Sequence, residues 1–264
     1  MKISVLTCNQ PRHLHLVTSL ASQASQVMAI IESSSVFPKK LDAYKHWSSM
    51  RKHYMQQVWD TEKEIFGEVK FLPSNVCTFP VQKGDVTNLE DHLPSSFWEA
   101  DLFVVFGSSY LRGSLCEKLI ERRAINIHIG VSPFYRGAAC NFWALFDKRP
   151  EYVGATIHLL SQGLDSGDIL YHVFPEFVKP DPFYYTMDAV RAAHYSLISK
   201  IKSEEILKLE GRAQDKSIEL RYSRLADFTN DVIERYRKYD DFSRSLREGL
   251  ARRDKNLFIR PVVC

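Results

Sequence analysis

The first thirty residues combine short apolar runs with an amphipathic stretch. Residues 2–6 are apolar and partly β-branched, which predicts a buried strand. Pro11 suits the first position of a helix, and the pattern His-Leu-His-Leu-Val-x-x-Leu that begins at residue 13 is typical of a helix. Residues 27–31 form a second apolar run of strand length. This β-α-β order is typical of the opening of a parallel, doubly wound sheet.

The pattern of apolar positions is weaker between residues 37 and 93. Residues 39–66 are polar and aromatic, and their spacing favours a helix, whereas residues 72–86 have the composition of a loop. Residues 101–106 then predict a strand that is apolar on both faces. Residues 107–111 follow that strand as a loop.

The pattern is clear again in the second half of the chain. Residues 115–122 predict a helix, and residues 124–128 predict a short strand. Residues 137–146 are rich in alanine and aromatic side chains, which indicates a buried helix. Residues 152–160 and 168–173 predict two further strands, joined by a loop.

The alternation of strands and helices predicts an α/β fold, with a Rossmann-like, doubly wound and mostly parallel sheet in residues 1–210. A long amphipathic helix over residues 185–209 would close this domain. Residues 211–264 are strongly charged and predict a mainly helical C-terminal extension. Apolar and aromatic residues within the extension predict that one face packs on the core or on a partner subunit. They are Leu225, Phe228, Ile233, Tyr236, Phe242, Leu246 and Leu250.

Composition and charge narrow the classes of function. The net charge is +3, and Lys and Arg are spread along the chain, so no nucleic-acid partner is expected. The five cysteines form no C-x-x-C pair, which favours a reducing compartment. No apolar run approaches the roughly 20 residues that cross a bilayer, and the N-terminus has no features of a secretory signal. We therefore expect a cytoplasmic, soluble protein without membrane insertion.

Two polar segments follow the carboxyl ends of predicted strands, where open α/β sheets bind their ligands. Asn126 and His128 are two positions apart on one strand and therefore lie on the same side of it. Asp165 lies between two glycines in the loop after residues 152–160. Each signal is weak alone, because a buried histidine is more often a core residue and an aspartate beside glycines is typical of a turn.

Four motifs in a fixed order are more specific than any one of these residues. They are Asn126-x-His128, Ser132-Pro133-x-Tyr135-Arg136-Gly137, Gly154-Ala-Thr-Ile-His158 and Gly163-Leu-Asp165-Ser-Gly167-Asp-Ile169. The series resembles the formyltransferases that use 10-formyltetrahydrofolate, over residues 101–169. One departure is Ile-Gly-Val-Ser-Pro at residues 129–133, where that family usually has Pro or Ala followed by Ser-Leu-Leu-Pro.

The resemblance implies that Asn126, His128 and Asp165 are catalytic. Attack of an amine on a formyl carbon builds an oxyanion, and the Asn126 amide and the His128 imidazole would donate hydrogen bonds to it. Asp165 would orient and charge-balance His128 and relay a proton. The chemistry requires no metal.

The resemblance also implies a binding site for the co-substrate 10-formyltetrahydrofolate, between the loop after residue 106 and the loop that carries Asp165. The expected contacts are Phe106, Tyr110, Leu111, Gln162, Gly163 and Leu164. For Phe106, ordinary core packing is the alternative, and periodicity alone favours it.

The acceptor amine is expected to belong to a nucleotide-linked amino sugar. Enzymes that act on glycinamide ribonucleotide are expected to carry a glycine-rich loop after the first strand, and residues 8–13 contain no glycine. Enzymes that act on methionyl-tRNA usually add a C-terminal β-barrel domain. General resemblance to bacterial O-antigen enzymes points to GDP-perosamine as the candidate acceptor, for lipopolysaccharide synthesis. Related sugar enzymes tend to be dimers, so a homodimer is expected.

The expected acceptor contacts are Asn9, Gln10, Arg12, Tyr135 and Arg136. The first three lie at the start of a predicted helix, where free backbone N–H groups bind anions. Alternatively, Asn9 or Gln10 only caps the helix, and Tyr135 belongs to the core. Arg136 is harder to place in a core, because arginine is rarely buried without a partner.

Other classes of function are alternatives. A 10-formyltetrahydrofolate hydrolase could use the same site, but such enzymes are expected to carry an N-terminal regulatory domain. A dinucleotide-dependent oxidoreductase would share the β-α-β opening, but the turn after the first strand lacks G-x-G-x-x-G. A binding module without catalysis would need no Asn-His-Asp set.

Overall fold

Residues 1–33, 47–238 and 242–264, which the computed structural model describes, form ten strands and eight α-helices. The strands are β1 Lys2–Cys8, β2 Gln26–Ser33, β3 Val76–Gln82, β4 Leu102–Phe106, β5 Ile125–His128, β6 Tyr135–Gly137, β7 Ala155–Leu159, β8 Ile169–Phe174, β9 Arg221–Ser223 and β10 Val262–Val263. The helices are α1 Pro11–Ala21, α2 Ser49–Phe66, α3 Ser95–Trp98, α4 Gly113–Glu121, α5 Cys140–Phe146, α6 Pro182–Lys202, α7 Asn230–Arg237 and α8 Phe242–Ala251.

The central sheet of the described residues has the strand order β10-β8-β7-β5-β4-β1-β2-β3. Every neighbouring pair is parallel except the two pairs that include β7, which runs antiparallel to β5 and to β8. In the middle of the sheet, Val5 of β1 is paired with Ala29 of β2 and with Val104 of β4. The predicted α/β fold with a mostly parallel sheet is confirmed.

Helices cover both faces of the sheet because the central strands are apolar on both faces. Val5 and Val104 face a cluster that also contains Leu16 of α1 and Ala193 of α6. Their chain neighbours on the other face, such as Phe103, pack in a second cluster with side chains of α4. Because both faces of these strands are buried, their sequences are continuously apolar and do not alternate between apolar and polar residues.

The prediction of a loop over residues 72–86 is wrong, because β3 lies there. This strand is at the edge of the sheet and pairs only with β2, so most of its side chains are not buried and its apolar signal is weak. It also contains Pro80, which lacks a backbone donor and is tolerated at an edge.

The helix predicted over residues 39–66 begins at Ser49. The Ser48 hydroxyl accepts a hydrogen bond from the backbone N–H of Arg51, and this cap fixes the start of α2. Gly67 follows the last helical residue with a φ of 67°. Residues 39–46 of the prediction lie outside the described residues.

The segment after residue 211 is built into the same core. β9 pairs with β6, and β10 extends the central sheet beside β8, two strands that the sequence did not predict. Phe228, Ile233 and Leu246 are buried in a cluster with residues of α5 and α6. Leu225 is 70% exposed and does not share in this packing.

Among the described residues, no helix is both long and apolar enough to cross a membrane.

Candidate active site

The polar pair on β5 lies where the sheet changes from parallel to antiparallel pairing. Ile125 and Ile127 point into the core, so Asn126 and His128 project from the other face of the same strand. β5 is only four residues long and ends at His128. Two polar side chains are therefore presented at the carboxyl end of a strand in the middle of the sheet.

Asp165 meets His128 although the two residues are far apart in the sequence. The distance from Asp165 Oδ1 to His128 Nδ1 is 3.2 Å, and both side chains are largely buried. Asp165 has a φ of 48°, in the left-handed region, so it stands at a sharp turn of the loop between β7 and β8. The side-chain amide of Gln214 donates to the carbonyl oxygens of Asp165 and Gly167, at 2.9 and 2.7 Å, and holds this turn.

The Asp165 contact decides the protonation of both partners. Burial alone would lower the pKa of His128, but the adjacent carboxylate of Asp165 raises it well above 6.5. Burial would also raise the pKa of Asp165, and the charge of His128 lowers it instead. At neutral pH the pair is therefore an imidazolium and a carboxylate, and His128 Nε2 donates to the Tyr135 carbonyl oxygen at 3.3 Å.

A second histidine orients Asn126. His158 of β7 is paired with Asn126 across the sheet, and its Nε2 lies 2.9 Å from the Asn126 Nδ2 atom. Its Nδ1 lies 2.8 Å from the carbonyl oxygen of Leu159 and donates to it. Burial lowers the pKa of His158 to about 4, so its neutral Nε2 accepts a hydrogen bond from the amide. One amide hydrogen of Asn126 is bonded to His158, and the other has no acceptor among the described residues.

The glycine that departs from the family pattern lies directly beside His128. A Cβ atom added at Gly130 would lie 2.5 Å from His128 Nε2 and 2.5 Å from the Cβ atom of Cys140. Both contacts are far shorter than van der Waals distance. The close approach of α5 to His128 therefore requires glycine at this position.

These side chains open onto one cavity of about 640 Å³. This volume lies within the range of small-molecule sites, roughly 300–1,000 Å³. Nine of the residues singled out from the sequence line it. They are Arg12, Phe106, Tyr110, Leu111, Asn126, His128, Gly163, Leu164 and Asp165. Asn9, Gln10, Gln162, Tyr135 and Arg136 are not in its lining.

Two loops of the cavity wall are tied to each other and to the sheet. The Tyr110 hydroxyl donates a hydrogen bond to the carbonyl oxygen of Gln162. The carboxylate of Glu32, at the end of β2, is 1% exposed and accepts from the backbone N–H groups of Ser109 and Gly84. Glu32 was not predicted as a site residue, because no local motif shows that a carboxylate on β2 reaches a loop after β4.

Phe106 belongs to both the core and the cavity. Its ring packs on His13 and His194, with centroid distances of 4.8 and 5.1 Å, and it is 2% exposed. Both histidines are buried, and burial lowers the pKa of His13 to about 2 and that of His194 well below 6.5. The floor of the cavity beneath Phe106 is therefore uncharged at neutral pH.

Tyr135 and Arg136 lie behind the cavity wall. The Tyr135 side chain is 1% exposed, and its hydroxyl donates to Asp147 Oδ2 at 3.2 Å. The Arg136 guanidinium donates to Glu219 Oε2 at 2.9 Å and to the Leu164 carbonyl oxygen at 2.8 Å. Arg136 therefore braces the loop that carries Asp165.

The three polar residues at the start of α1 differ in their surroundings. Asn9 and Gln10 are exposed, and Gln10 occupies the N-cap position without a side-chain cap hydrogen bond. Arg12 lines the cavity, and its guanidinium forms an ion pair with Glu62 Oε2 at 2.9 Å. Its charge is therefore already balanced within the protein.

A wall of the cavity that the sequence did not predict comes from the start of α2 and from the segment before α7. It contains Trp47, Arg51, Tyr54 and Phe228. The first three fall in the region where the apolar pattern is weak, and no motif marked them. Their role depends on a tertiary contact between distant parts of the chain.

The fold and the site define an α/β protein with acid–base groups facing a small-molecule cavity. Residues 1–200 match the family described as formyl transferase, and the chain belongs to that family. A methionyl-tRNA formyltransferase from Prochlorococcus marinus is 26% identical over 175 residues, which are 60% of this chain and 53% of that protein. The chain thus spans about half the length of this curated relative.

Three solved structures share the fold. The formyltransferase PseJ from Anoxybacillus kamchatkensis, in complex with UDP-4,6-dideoxy-4-formamido-L-AltNAc and tetrahydrofolate, is 16% identical with a TM-score of 0.50, covering 96% of this chain and 100% of that one. An N-formyltransferase from Helicobacter canadensis, in complex with folinic acid and dTDP-3-aminofucose, is 12% identical with a TM-score of 0.53, covering 89% and 79%. Phosphoribosylglycinamide formyltransferase from Anaplasma phagocytophilum is 18% identical with a TM-score of 0.53, covering 81% and 92%. At these identities the similarity establishes the fold alone.

Proposed function

We propose that the chain is an N-formyltransferase that transfers the formyl group of 10-formyltetrahydrofolate to the amine of a nucleotide-linked amino sugar. The observation that carries the proposal is the contact of His128 with Asp165 beside the oriented amide of Asn126, at the wall of one cavity. Of the three structures described above, PseJ matches this chain over nearly the whole length of both, and it holds a nucleotide-linked sugar and tetrahydrofolate.

The residues that line the cavity fit a flat, largely apolar ring. Tyr110 and Leu164 line the cavity and remain 44% and 41% exposed, so they offer apolar surface to a ligand. Phe106 and Leu111 add buried apolar wall, and Gly163 and Leu164 bring main-chain atoms to the lining. These are the residues that would hold the folate, and the bound folate supplies the formyl group.

The Asn126 amide and the His128 imidazolium would donate hydrogen bonds to the formyl oxygen as negative charge develops on it. The second amide hydrogen of Asn126 is free to donate, because the first is bonded to His158. The Nε2–H group of His128 donates to the Tyr135 carbonyl over a long 3.3 Å, and the ring also interacts with the weakly polar Cys140 side chain. Because both partners are weak, the group can turn to a better acceptor. Donors that are already oriented stabilise such charge without reorganisation.

Asp165 balances the charge of His128 and takes part in the removal of a proton from the attacking amine. Its pKa is lowered by His128, so it is a poor final acceptor for that proton. It therefore passes the proton onward to solvent or to the leaving nitrogen, and it returns to the carboxylate that holds His128 in place.

A panel of acceptors tests this function. Purified protein is incubated with 10-formyltetrahydrofolate and with GDP-perosamine, dTDP-linked and UDP-linked 3-amino and 4-amino sugars, glycinamide ribonucleotide or initiator methionyl-tRNA. We expect formamide products, detected by mass spectrometry, from at least one amino sugar and most rapidly from GDP-perosamine, an acceptor suited to O-antigen synthesis. Formylation of glycinamide ribonucleotide or tRNA with no sugar product would contradict the proposal.

A further inference from the structure

The aromatic wall of the cavity surrounds one arginine. The Tyr54 ring of α2 packs on Phe228 at 5.2 Å and on Phe142 of α5 at 5.8 Å. Phe142 and Phe228 also contact each other, at 4.8 Å. The three rings are a fixed support, because each packs on the other two.

Arg51 lies against this support and faces the cavity. Its guanidinium carbon is 5.0 Å from the centroid of the Trp47 ring and 5.7 Å from that of Phe228. Stacking on aromatic faces fixes the plane of a guanidinium and leaves the N–H groups at its edge free to bind. The side chain of Arg51 is thus oriented before any ligand enters.

The hydrogen-bonding capacity of Arg51 is unused within the described part of the chain. Its Nε atom is buried and has no acceptor there, and no described carboxylate or carbonyl pairs with its guanidinium. Arg12 also lines the cavity and has Glu62 as its partner, and the charge of His128 is balanced by Asp165. A buried donor without an acceptor is unfavourable, so a ligand that supplies an anionic acceptor relieves this cost. Arg51 is therefore the group of this cavity that is prepared for an anion.

We infer that Arg51 binds the diphosphate of a nucleoside diphosphate group, with the Trp47 and Phe228 rings fixing the guanidinium. The inference rests on the proposed function, since it assigns the anionic part of the acceptor to this wall. A planar guanidinium binds two phosphate oxygens at once through parallel hydrogen bonds.

The position of Arg51 in the cavity wall favours binding of the acceptor's diphosphate over binding of the carboxylates of the folate. Its ring contacts are all with the start of α2 and with the segment before α7. The loops expected to hold the folate are tied to each other by Tyr110 and Gln162 and to the sheet by Glu32. The two sets of residues come from different elements of the chain, and both line the cavity that the β5 side chains Asn126 and His128 also line.

Equilibrium binding tests the inference without turnover. GDP, UDP, dTDP and tetrahydrofolate are titrated by calorimetry into the wild-type protein and into variants at Arg51. In Arg51→Ala, we expect the nucleoside diphosphate that binds best to bind about 10- to 100-fold more weakly, because charge-assisted hydrogen bonds are lost. The affinity of Arg51→Lys for the same nucleotide should lie between those of the wild type and Arg51→Ala, since lysine keeps the charge and lacks the planar guanidinium. Tetrahydrofolate should bind all variants within about twofold, since its expected contacts are unchanged.

Arg235→Ala is the matched control. The Arg235 guanidinium also stacks on an aromatic ring, that of Phe146 at 5.1 Å, but it does not line the cavity. Its removal should leave nucleotide affinity unchanged. If Arg51→Ala unfolds, Arg51→Gln and Arg51→Lys provide the same comparison. The inference is overturned by equal nucleotide affinity in wild type and Arg51 variants, by failure of the wild type to bind any nucleoside diphosphate, or by an equal loss of tetrahydrofolate affinity.

Steady-state kinetics separate this inference from the proposed function. With an amino-sugar nucleotide, Arg51→Ala should raise KM about 10- to 100-fold and change kcat by less than about threefold, because the catalytic groups are untouched. An unchanged KM would reject the role of Arg51 and leave the formyltransferase proposal in place. Binding of nucleoside diphosphates that depends on Arg51, without formylation of any sugar, would reject the proposed reaction and keep the binding site.

Discussion

Two buried histidines of the site have opposite protonation, and their neighbours explain why. Beside the carboxylate of Asp165, His128 is charged and acts as a donor. His158 has no such close partner, so burial keeps it neutral and it accepts a hydrogen bond from Asn126. One histidine therefore keeps its proton, which the proposed reaction uses, and the other orients an amide.

Replacement of Asn126 tests the amide donor. In Asn126→Ala, we expect kcat to fall about 100- to 1,000-fold, because an oxyanion donor is lost. The dissociation constant for tetrahydrofolate should change little, because Asn126 is not among its expected contacts. Asn256→Ala, which removes an exposed amide outside the cavity lining, is the control. A rate near that of the wild type in Asn126→Ala would remove this residue from the mechanism.

The pH dependence of the rate tests the His128–Asp165 pair. The pKa of His128 is raised, so its catalytic proton is present at neutral pH and is lost only as the pH rises well above 6.5. In Asp165→Asn the attraction is gone and burial remains, so the pKa of His128 should fall. We expect the alkaline fall in kcat/KM to move to lower pH in this variant. An alkaline limb at the same pH in both proteins would contradict the pairing.

Among individual residues, those that belong to sequence motifs could be predicted. Residues that reach the site only through contacts between distant parts of the chain could not. Asn126, His128 and Asp165 could be singled out because their motifs occur in a fixed order. His158 lies in one of those motifs, but its role follows from the register that pairs it with residue 126. Arg51 has no motif, and only its contact with Phe228 brings it to the cavity.

At the scale of elements, the loop after β4 depends on a carboxylate from β2. Both oxygens of Glu32 accept backbone hydrogen bonds, from Ser109 and from Gly84. In Glu32→Gln, the amide nitrogen would face one of these N–H donors, and that bond would be lost. We expect KM for 10-formyltetrahydrofolate to rise about tenfold, a cost of about 1.4 kcal/mol, as the loop loses its anchor.

The control for this prediction is Glu99→Gln. Glu99 forms a surface ion pair with Lys2 and is not in the cavity lining. Its replacement should leave KM unchanged. Equal KM values for wild type and Glu32→Gln, or equal effects of the two substitutions, would show that the loop does not need this anchor.

The elements that the sequence predicts well are those buried on both sides or amphipathic over several turns. β1 and β4 follow apolar runs, and α6 follows the periodic stretch predicted over residues 185–209, although the helix spans Pro182–Lys202 and residues 203–209 are not part of it. β3, β9 and β10 were missed because they are short or lie at an edge, so few of their side chains are buried. These strands form because their backbones pair with a neighbouring strand, and amino-acid composition does not reveal that pairing.

At the scale of the whole molecule, the C-terminal segment and the site share one apolar cluster. Leu246 of α8 is fully buried there, together with Phe142 and Phe228, which support the aromatic wall. Removal of its side chain leaves a cavity, so Leu246→Ala should lower the free energy of unfolding by about 2–5 kcal/mol. Urea denaturation followed by fluorescence and circular dichroism measures this change.

Leu225→Ala provides the contrast, since Leu225 in the same segment is 70% exposed. Its substitution should change the free energy of unfolding by less than about 0.5 kcal/mol. Both probes should report a single transition if residues 211–264 unfold with the core. A separate early transition, or equal effects of the two substitutions, would show that the segment is only loosely attached.

The inward-facing carboxylate of Glu32 also separates this protein from the nucleotide-dependent dehydrogenases that share its architecture. In those enzymes an acidic side chain about 20 residues beyond the glycine-rich turn receives the hydroxyl groups of an adenosine ribose. Here the acid that ends β2 is 1% exposed and saturated by main-chain donors. Glu32 could bind a ribose only if it released the loop after β4, which forms part of the cavity wall. We therefore expect that inserting a glycine-rich turn after β1 is not enough to give the protein dehydrogenase activity.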